Sequence, residues 1–545
     1  MTTREGSLEA PKRHPLDWEN PDFYDEPKLF AEMERVFDIC HGCRRCVNLC
    51  TAFPSLFDLI DEGSTGELDG VEKQKFWEVV DRCYLCDMCF MTKCPYVPPH
   101  PWNVDFPHLM LRAKAVKHKK GDIRFRDKLL SSTDAVGKLA SIPVVAQTVN
   151  AVNKAPAARK LMDSMLGIHA ERKLPEYDSH KFRPNARPNS SHEVRDGART
   201  PGKVAIYATC YINYNEPGIG HDLLKILDHN EIPVRLVEKE ACCGMPKLEL
   251  GDLPAVKELK TRNIPPLVKL AKEGYAILTA VPSCTLMYKQ ELPLMFPEDE
   301  DVKAVAEAMF DPFEYLMLRH RDRLLKTDFT QPLGNVSYHI PCHLRVQNIG
   351  QKTREMLQLV PGTKVNVVER CSGHDGTWGV KTEHFAEVYI DGREFNLSLL
   401  EHSSGVEVLL IAEILFEGLE ADAPKIVDFD AKWTPDSRVY IGTPRRFGLE
   451  RNEPELAKKL KQLALASWNL FGLNGYARFD FRIDPTGKPF VIDVNPNPFL
   501  AQDAGFAAAA AEAGLSYQDL IGSIVENALR ASQTNAPQVL QLRIA

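Results

Sequence analysis

Apolar residues follow different rules in different stretches of the chain. Residues 26–36 carry a short helical spacing and residues 129–166 a patchier one. Residues 171–202 have almost no apolar periodicity. They contain Pro175, Pro184, Pro188 and Pro201, and read as a boundary between folded parts. After Gly202, short apolar runs at 204–208, 234–237, 276–281, 336–340 and 365–368 alternate with helical stretches such as 220–229 and 253–272. That alternation predicts an α/β region with a largely parallel sheet. The pattern changes again near Phe385. Residues 389–400 and 406–416 are strand-like, and 453–471 form a long amphipathic helix pattern. Residues 475–483 and 489–494 predict two strands around the turn Asp484-Pro485-Thr486-Gly487, and 504–531 are helical.

Composition narrows the class. A chain of 545 residues suggests roughly three or four domains. Apolar content of 44% and charged content of 26% suit a globular chain rather than a disordered or fibrous one. No run of 18 apolar residues predicts a membrane-spanning helix. The start is polar, so the expected compartment is the cytoplasm. A net charge of −8 gives no support to nucleic-acid binding. Residues 112–128 are locally basic; they suit a docking face for a partner subunit or a peripheral contact with an anionic membrane surface.

The fourteen cysteines carry the most chemistry, and eight of them fall between Cys40 and Cys94. In a large intracellular chain such clusters are more often metal ligands than disulfides. Cys40, Cys43 and Cys46 are spaced C-x2-C-x2-C, with Cys50 after three more residues. Cys83, Cys86 and Cys89 repeat the spacing, and Cys94 follows after four residues, before Pro95. Such a trio wraps its loop round one iron–sulfur cube, and the trailing cysteine reaches the other cube in two-cluster ferredoxins. The expected ligand sets are therefore Cys40, Cys43, Cys46 and Cys94 for one [4Fe–4S] cluster, and Cys83, Cys86, Cys89 and Cys50 for the other. Structural zinc would normally use two C-x2-C pairs across a longer gap.

Cys210, Cys284, Cys342 and Cys371 each end an apolar run, and Cys242-Cys243-Gly244 follows one. The carboxyl ends of parallel strands are where open α/β sheets build their sites. The phrases CHGCRRCVNLC, CYLCDMCFMTKCPYVPPH, YATCYINYNEPGIG, CCGMPKLELG and CSGHDGTWGV carry a family resemblance. Through them, residues 14–386 resemble the heterodisulfide-reductase-related iron–sulfur proteins found among anaerobic glycerol-3-phosphate dehydrogenase subunits, with their cysteine-rich CCG domain. The resemblance implies a dicluster module exchanging electrons with a CCG domain. Its partners would be a flavoprotein dehydrogenase or other redox subunit on one side, and a quinone or thiol/disulfide acceptor on the other. Two departures stand out. The motif that closes a full repeat is Cys284-Thr285-Leu286-Met287, one cysteine short. The second repeat, at Pro341-Cys342-His343 and Cys371-Ser372-Gly373, is degenerate. The first repeat keeps Cys210, Cys242, Cys243 and Cys284, which would hold a further iron–sulfur cluster or zinc, or stay as unmetallated thiols. Cys242, Cys243 and His343 are the catalytic candidates, with His374 and Asp375 as added ligands or a proton relay.

Residues 388–530 resemble the C-terminal lobe of an ATP-grasp ligase of the D-alanine–D-alanine ligase type, through YIDGREFNLSLL, NGYARFDFRID and GKPFVIDVNPNPFL. Asp480 and Asp493 sit on neighbouring predicted strands and Asn495 is two residues on; three oxygen donors suit Mg²⁺. The resemblance implies that Asp480, Asp493 and Asn495 would bind Mg²⁺–ATP and that Arg478 would face the transferring acyl phosphate. The lobe that brings the phosphate-binding lysine and the Gly-rich flap is missing upstream, where Lys381 and Lys432 are the nearby lysines, so any ATP activity is expected to be weak or absent. The expected fold is multidomain, α+β and α/β: an extension at 1–35, a helical dicluster ferredoxin module at 36–108, a basic helical segment and linker at 109–202, an α/β CCG domain at 203–386, the C-terminal half of an ATP-grasp fold at 387–532 and a tail at 533–545.

Overall fold

The computed structural model describes residues 9–47, 49–369, 377–384, 392–417, 438–485, 487–496, 498–502 and 504–534. Cys371, His374, Asp375, Lys432 and the start of the predicted strand 389–400 lie outside them. The chain divides into two compact units, Met1–Ala386 and Glu387–Ala545.

In the first unit, α1 (Glu26–Cys43) starts where Asp25 accepts a hydrogen bond from the Lys28 N–H, with Pro27 in the first turn. It runs past the predicted 26–36 and ends at Arg44, which adopts a left-handed φ of 51°. Its buried residues Leu29, Phe30, Met33, Val36 and Phe37 have the three-and-four spacing of one helix face. They pack with α2 (Ala52–Asp61), α3 (Phe76–Arg82) and α4 (Phe106–Lys119). Aromatic rings fill the centre: Phe37 meets Phe76 at 5.0 Å between centroids and Phe53 meets Phe106 at 4.7 Å.

All five apolar runs after Gly202 are strands. β1 (Val204–Ile206), β2 (Val234–Leu236), β3 (Ala276–Leu278) and β4 (Met309–Phe310) make a four-stranded parallel sheet in the order β2-β1-β3-β4. β5 (Asn335–His339) and β6 (Lys364–Val368) pair with each other, also in parallel, as a separate two-stranded sheet. One buried apolar cluster runs from Leu16 and the four N-terminal helices through Tyr207, Cys242 and Cys284 to Met309. The N-terminal helices and the α/β sheet thus share a core. Between them, residues 125–166 form four helices whose Phe125, Leu139, Val144 and Met165 are more than 60% exposed. No single described helix is long and apolar enough to cross a membrane.

A buried charge cluster joins the same parts. The Arg13 guanidinium donates to Asp87 Oδ2 at 2.7 Å and to Asp105 Oδ2 at 2.9 Å, and stands 3.5 Å from Glu291. His108 lies 3.3 Å from Asp105 and 3.4 Å from Glu291. Burial would raise the Asp105 carboxyl, but His108 and Arg13 outweigh it and hold it below its ordinary range. Near the end of the unit, Trp378 stacks on His384 with centroids 4.1 Å apart and rings 7° from parallel, and its indole N–H donates to the Asp81 carbonyl.

The second unit is a six-stranded antiparallel sheet, β10-β9-β7-β11-β12, with β8 added to β7. Its strands are β7 (Arg393–His402), β8 (Gly405–Val408), β9 (Ala412–Ile414), β10 (Arg445–Arg446), β11 (Tyr476–Ile483) and β12 (Pro489–Asn495). The predicted strand 406–416 is broken into β8 and β9, which follow one another along the same edge of β7, opposite β11, with the register slipping by one residue between them. Odd-numbered Phe395, Leu397, Phe479, Phe481 and Ile483 face α5 (Pro454–Leu470) through Leu460, Ala464 and Trp468. The predicted helix 504–531 is two: α6 (Gly505–Glu512) and α7 (Tyr517–Thr534), which pack with Leu400. Gly392 is required at its position, since a Cβ there would stand 1.8 Å from the Ile483 carbonyl oxygen.

Two outcomes follow for the first unit. Arg13→Met leaves three buried carboxylates without their cation; its unfolding free energy should fall by about 3–5 kcal/mol, read by denaturant titration of the full chain. Burial lowers the His384 pKa from 6.5 to about 4, so the unfolded chain takes up the proton first as pH falls. The stabilisation is complete above about 6.5 and is lost between there and about 4. His384→Phe, which keeps the stack, should flatten the stability profile across that window.

Candidate metal and electron-transfer site

The first cysteine trio lies on the end of α1 and the turn after it, and the second lies after α3. Two residues in the second loop, Leu85 and Asp87, adopt left-handed φ values of 54° and 61°, which curl the chain between Cys83 and Cys89. The loop is pinned from outside: Lys114 donates to the Cys83 carbonyl, and Arg13 holds Asp87.

The eight sulfurs form two groups that cross the sequence. Burial pushes the Cys40 thiol well above its ordinary pKa, and Cys94, Cys46 and Cys43 beside it push further. Cys46 is raised to about 12 by burial, then by Cys94 and Cys43. Burial raises Cys94 to about 11, with Cys43 adding to it. Cys89 is raised by burial, Cys83, Cys46 and Cys50. At Cys86 a hydrogen bond from the Cys342 thiol lowers the pKa, yet burial, Cys89 and Cys50 carry it upward overall. Thus Cys94, from the second run, neighbours Cys40, Cys43 and Cys46, and Cys50, from the first, neighbours Cys86 and Cys89. The presence of Cys46 in the surroundings of Cys89 puts the two groups side by side. Among the described residues, no three His, Cys, Asp or Glu side chains are arranged to share a single metal ion. A four-iron cube binds its four thiolates on separate irons, so its ligands surround a volume rather than converge on a point.

A third group lies at the carboxyl edge of the parallel sheet. Thr209, at a left-handed φ of 61°, turns the chain after β1 and presents Cys210. Cys242 and Cys243 follow β2, and Cys284 follows β3. Cys242 accepts hydrogen bonds from the Cys210 and Cys243 thiols, which hold it well below the ordinary thiol range despite its burial. Cys210 and Cys243 are correspondingly raised, by their bonds to Cys242 and, at Cys243, to Cys284. Met287, in the position of the missing fourth-motif cysteine, is fully buried, with its methyl 3.5 Å from where a Cβ on Gly244 would stand.

Several supporting residues gave no signal in the sequence. Thr133 donates its hydroxyl to Cys242 Sγ at 3.3 Å, and the Cys242 N–H donates to Asp134 at 2.7 Å. Asn263, fully buried inside a helix, accepts from the Ala241 N–H at 2.8 Å and donates to the Cys242 carbonyl at 2.9 Å. Tyr288 donates to the Tyr207 hydroxyl, which in turn donates to the Ala241 carbonyl. His343 is buried between Ser283 and Leu85 rather than facing a cavity. A cavity of about 640 Å³ is lined by Tyr177, Tyr211, Asn150 and Asn215; burial raises the Tyr177 pKa, and nearby Cys210 adds to the shift. Its wall is fixed by Asn150, whose amide bonds both the N–H and the carbonyl of Tyr177.

In the second unit, Asp480 pairs in register with Asp493, and Arg478 with Asn495, which places all four on one sheet face. Arg478 binds both Asp480 oxygens, at 2.8 and 2.7 Å, and Asn396 donates to the first of them at 2.9 Å. The carboxylate is thus fully engaged. Lys381 belongs to the first unit and pairs with Asp127 at 2.8 Å.

Comparison with known proteins agrees with this division. The family described as D-ala D-ala ligase C-terminus matches residues 379–526, and the cysteine-rich CCG domain matches residues 204–289. An anaerobic glycerol-3-phosphate dehydrogenase subunit of Escherichia coli strain K12 is 29% identical over 291 residues, 52% of this chain and 70% of its own. A fumarate reductase (CoM/CoB) subunit of Methanothermobacter marburgensis is 27% identical over 196 residues, 35% of this chain and 36% of its own. A solved D-alanine–D-alanine ligase from Bacillus anthracis, complexed with ATP, aligns over 27% of this chain and 41% of its own, at 24% identity and a TM-score of 0.21. The chain therefore carries a stretch similar to the cysteine-rich CCG domain at 204–289 and one similar to the D-ala D-ala ligase C-terminus at 379–526, and over 291 residues it is similar to that glycerol-3-phosphate dehydrogenase subunit.

Proposed function

We propose that this chain is an iron–sulfur electron-transfer protein, an oxidoreductase subunit. Cys40, Cys43, Cys46 and Cys94 hold one [4Fe–4S] cluster, and Cys83, Cys86, Cys89 and Cys50 hold the other. The observation that carries this reading is the exchange of the trailing cysteines between the two groups. A cluster supplies one-electron acceptance and donation; the chain supplies burial, charge and hydrogen bonds that tune it. Cys210, Cys242, Cys243 and Cys284 hold a further iron–sulfur cluster in the CCG domain; a single zinc ion is disfavoured, because no three of them are arranged to share one ion.

Electrons enter from a flavoprotein dehydrogenase or another redox subunit and leave to a quinone or a thiol/disulfide acceptor. The cavity beside Cys210 supports the CCG domain as the acceptor end, because Cys210 is the most accessible of its four cysteines. Exposed Leu139, Val144 and Met165 on the helices after the basic stretch support a peripheral contact with a membrane surface. Cysteines grouped for metal ligation suit a reducing cytoplasm.

A second reading, Mg²⁺–ATP binding in the second unit, is supported by the shared face of Arg478, Asp480, Asp493 and Asn495. Asp493 and Asn495 suit such an ion, but Asp480 would have to release Arg478 first.

Anaerobically purified full chain should contain about eight irons with matching sulfide, or about twelve if the third group also holds a four-iron cluster. Colourless protein, or zinc at these positions, would sink the reading. Cys50→Ala and Cys94→Ala should each remove a different low-temperature EPR signal, Cys50→Ala the one also lost in Cys89→Ala and Cys94→Ala the one lost in Cys40→Ala. Mg²⁺–ATP should leave the thermal midpoint of the chain unchanged; a rise abolished by Asp480→Ala would establish the second reading instead.

A further inference from the structure

The degenerate second repeat leaves Cys342 and His343 without the partners that a complete motif would give them. Both are nonetheless engaged. The Cys342 side chain is in hydrogen-bond contact with Cys86, inside the second cysteine group, and a Cys86 thiolate bound to a cluster can only accept, which makes the Cys342 thiol the donor. The His343 ring spans two loops: Nε2 lies 3.4 Å from the Leu85 carbonyl oxygen and Nδ1 lies 2.8 Å from Ser283 Oγ. A carbonyl oxygen can only accept, so Nε2 carries the proton; in the neutral ring Nδ1 then accepts from the Ser283 hydroxyl. Gln347, on the same turn, donates from Nε2 to the Pro282 carbonyl at 3.2 Å and to the His343 carbonyl at 2.8 Å. One short turn therefore grips Leu85 and Cys86 on one side and Pro282 and Ser283, next to Cys284, on the other.

We propose that the Cys342–His343 turn is a hydrogen-bonded bridge between the second cluster and the CCG thiol group, with Cys342 and His343 acting as positioning residues that set the reduction potential of that cluster. The inference rests on the electron-transfer reading above. Reduction adds one negative charge to a cluster, and a donor aimed at a ligand sulfur stabilises the more negative state, which raises the potential. Cys342 supplies such a donor. His343 holds the Leu85–Cys86 segment where that donor reaches it, and holds the Cys284 turn against the same segment. An electron passing between the two centres leaves one metal group and enters the other. Cys342 and His343 keep their bonds and protons throughout and are neither oxidised nor reduced. On this reading Cys342 and His343 serve a positioning task, which accounts for a cysteine and a histidine standing together in this turn.

The test is an EPR-monitored redox titration of the full chain, purified anaerobically, with iron content measured on the same samples. Cys342→Ala should move the midpoint of one cluster to more negative potential, leave the other in place, and keep the iron content of the native protein. The signal that moves should be the one absent from Cys50→Ala. Cys342→Ser, whose hydroxyl also donates, should stay close to the native midpoint. His343→Leu should move the same signal, and His343→Gln, which restores an N–H near the position of Nε2, should recover it. The bridge is overturned if both midpoints stay in place in a cluster-loaded Cys342→Ala protein, or if Ser and Ala at this position shift the signal equally, which would make the effect one of packing. A loss of about four irons in Cys342→Ala would also overturn it, by making Cys342 a ligand. Native protein without any cluster signal would instead remove the underlying reading, and the two failures are distinguished by the iron content.

Discussion

Buried sulfurs repel one another's charge, and the first unit is organised round that constraint. Cys40, Cys46, Cys89 and Cys94 are each raised by burial and again by their neighbours. Thiolates can be held this close only when a cation offsets their mutual repulsion, and metal ligation demands the deprotonated form. Chain placement alone brings the groups together: the turn after α1, the curled loop after α3, and the exchanged trailing cysteines. A metal–sulfur core would tie these segments covalently, so that cluster assembly and completion of the fold become one event.

The surrounding protein reinforces that knot from several directions. Asp87 lies between two cysteines of the second loop, and its partner Arg13 also reaches Asp105 and Glu291. The charge cluster therefore binds the N-terminal strap, the cysteine loop, α4 and the α/β part into one body, with apolar contacts from Leu16 to Met309 filling the space between. Buried ion pairs of this kind contribute little to stability relative to a well-packed apolar substitute. Their use here is directional: an arginine that must satisfy three carboxylates allows fewer arrangements of the loop than an apolar contact would.

The sequence made the pieces legible and left most of the joints hidden. Cysteine spacing is local, so the two groups and their exchange could be inferred from eight residues. Strand runs after Gly202 are also local, and each one is a strand. The partners of Cys242 were invisible because Thr133 and Asp134 come from a helix more than a hundred residues earlier, and Asn263 is an unremarkable polar residue within a helical pattern. The stretch 171–202 has no periodicity because it lies over the surface of the unit, yet Phe182 within it is fully buried against Ile212 and Leu223. One aromatic anchor in thirty residues leaves no repeating signal. In the second unit, the break between β8 and β9 is a one-residue slip in register along one edge of β7, which no run of hydrophobicity encodes.

The second unit shows why a recognisable motif and a working site are separate findings. Its polar sheet face has the residues expected from the sequence, and register brings them together. Electrostatics then decides their use. Burial disfavours a lone carboxylate at Asp480, and the nearest compensating cation is Arg478, two residues away on the same strand. Each stabilises the other: Asp480 and Asp493 offset the burial that would otherwise lower the Arg478 pKa. A bidentate arginine–carboxylate pair with an added amide donor is a closed hydrogen-bonding set. To recruit a divalent ion, the face would need another anion to draw Arg478 away, such as the phosphates or acyl phosphate that the ligase resemblance assigns to it. As it stands the face is a stable ion pair on a well-packed sheet, and a divalent ion could use Asp480 only after Arg478 had been drawn away.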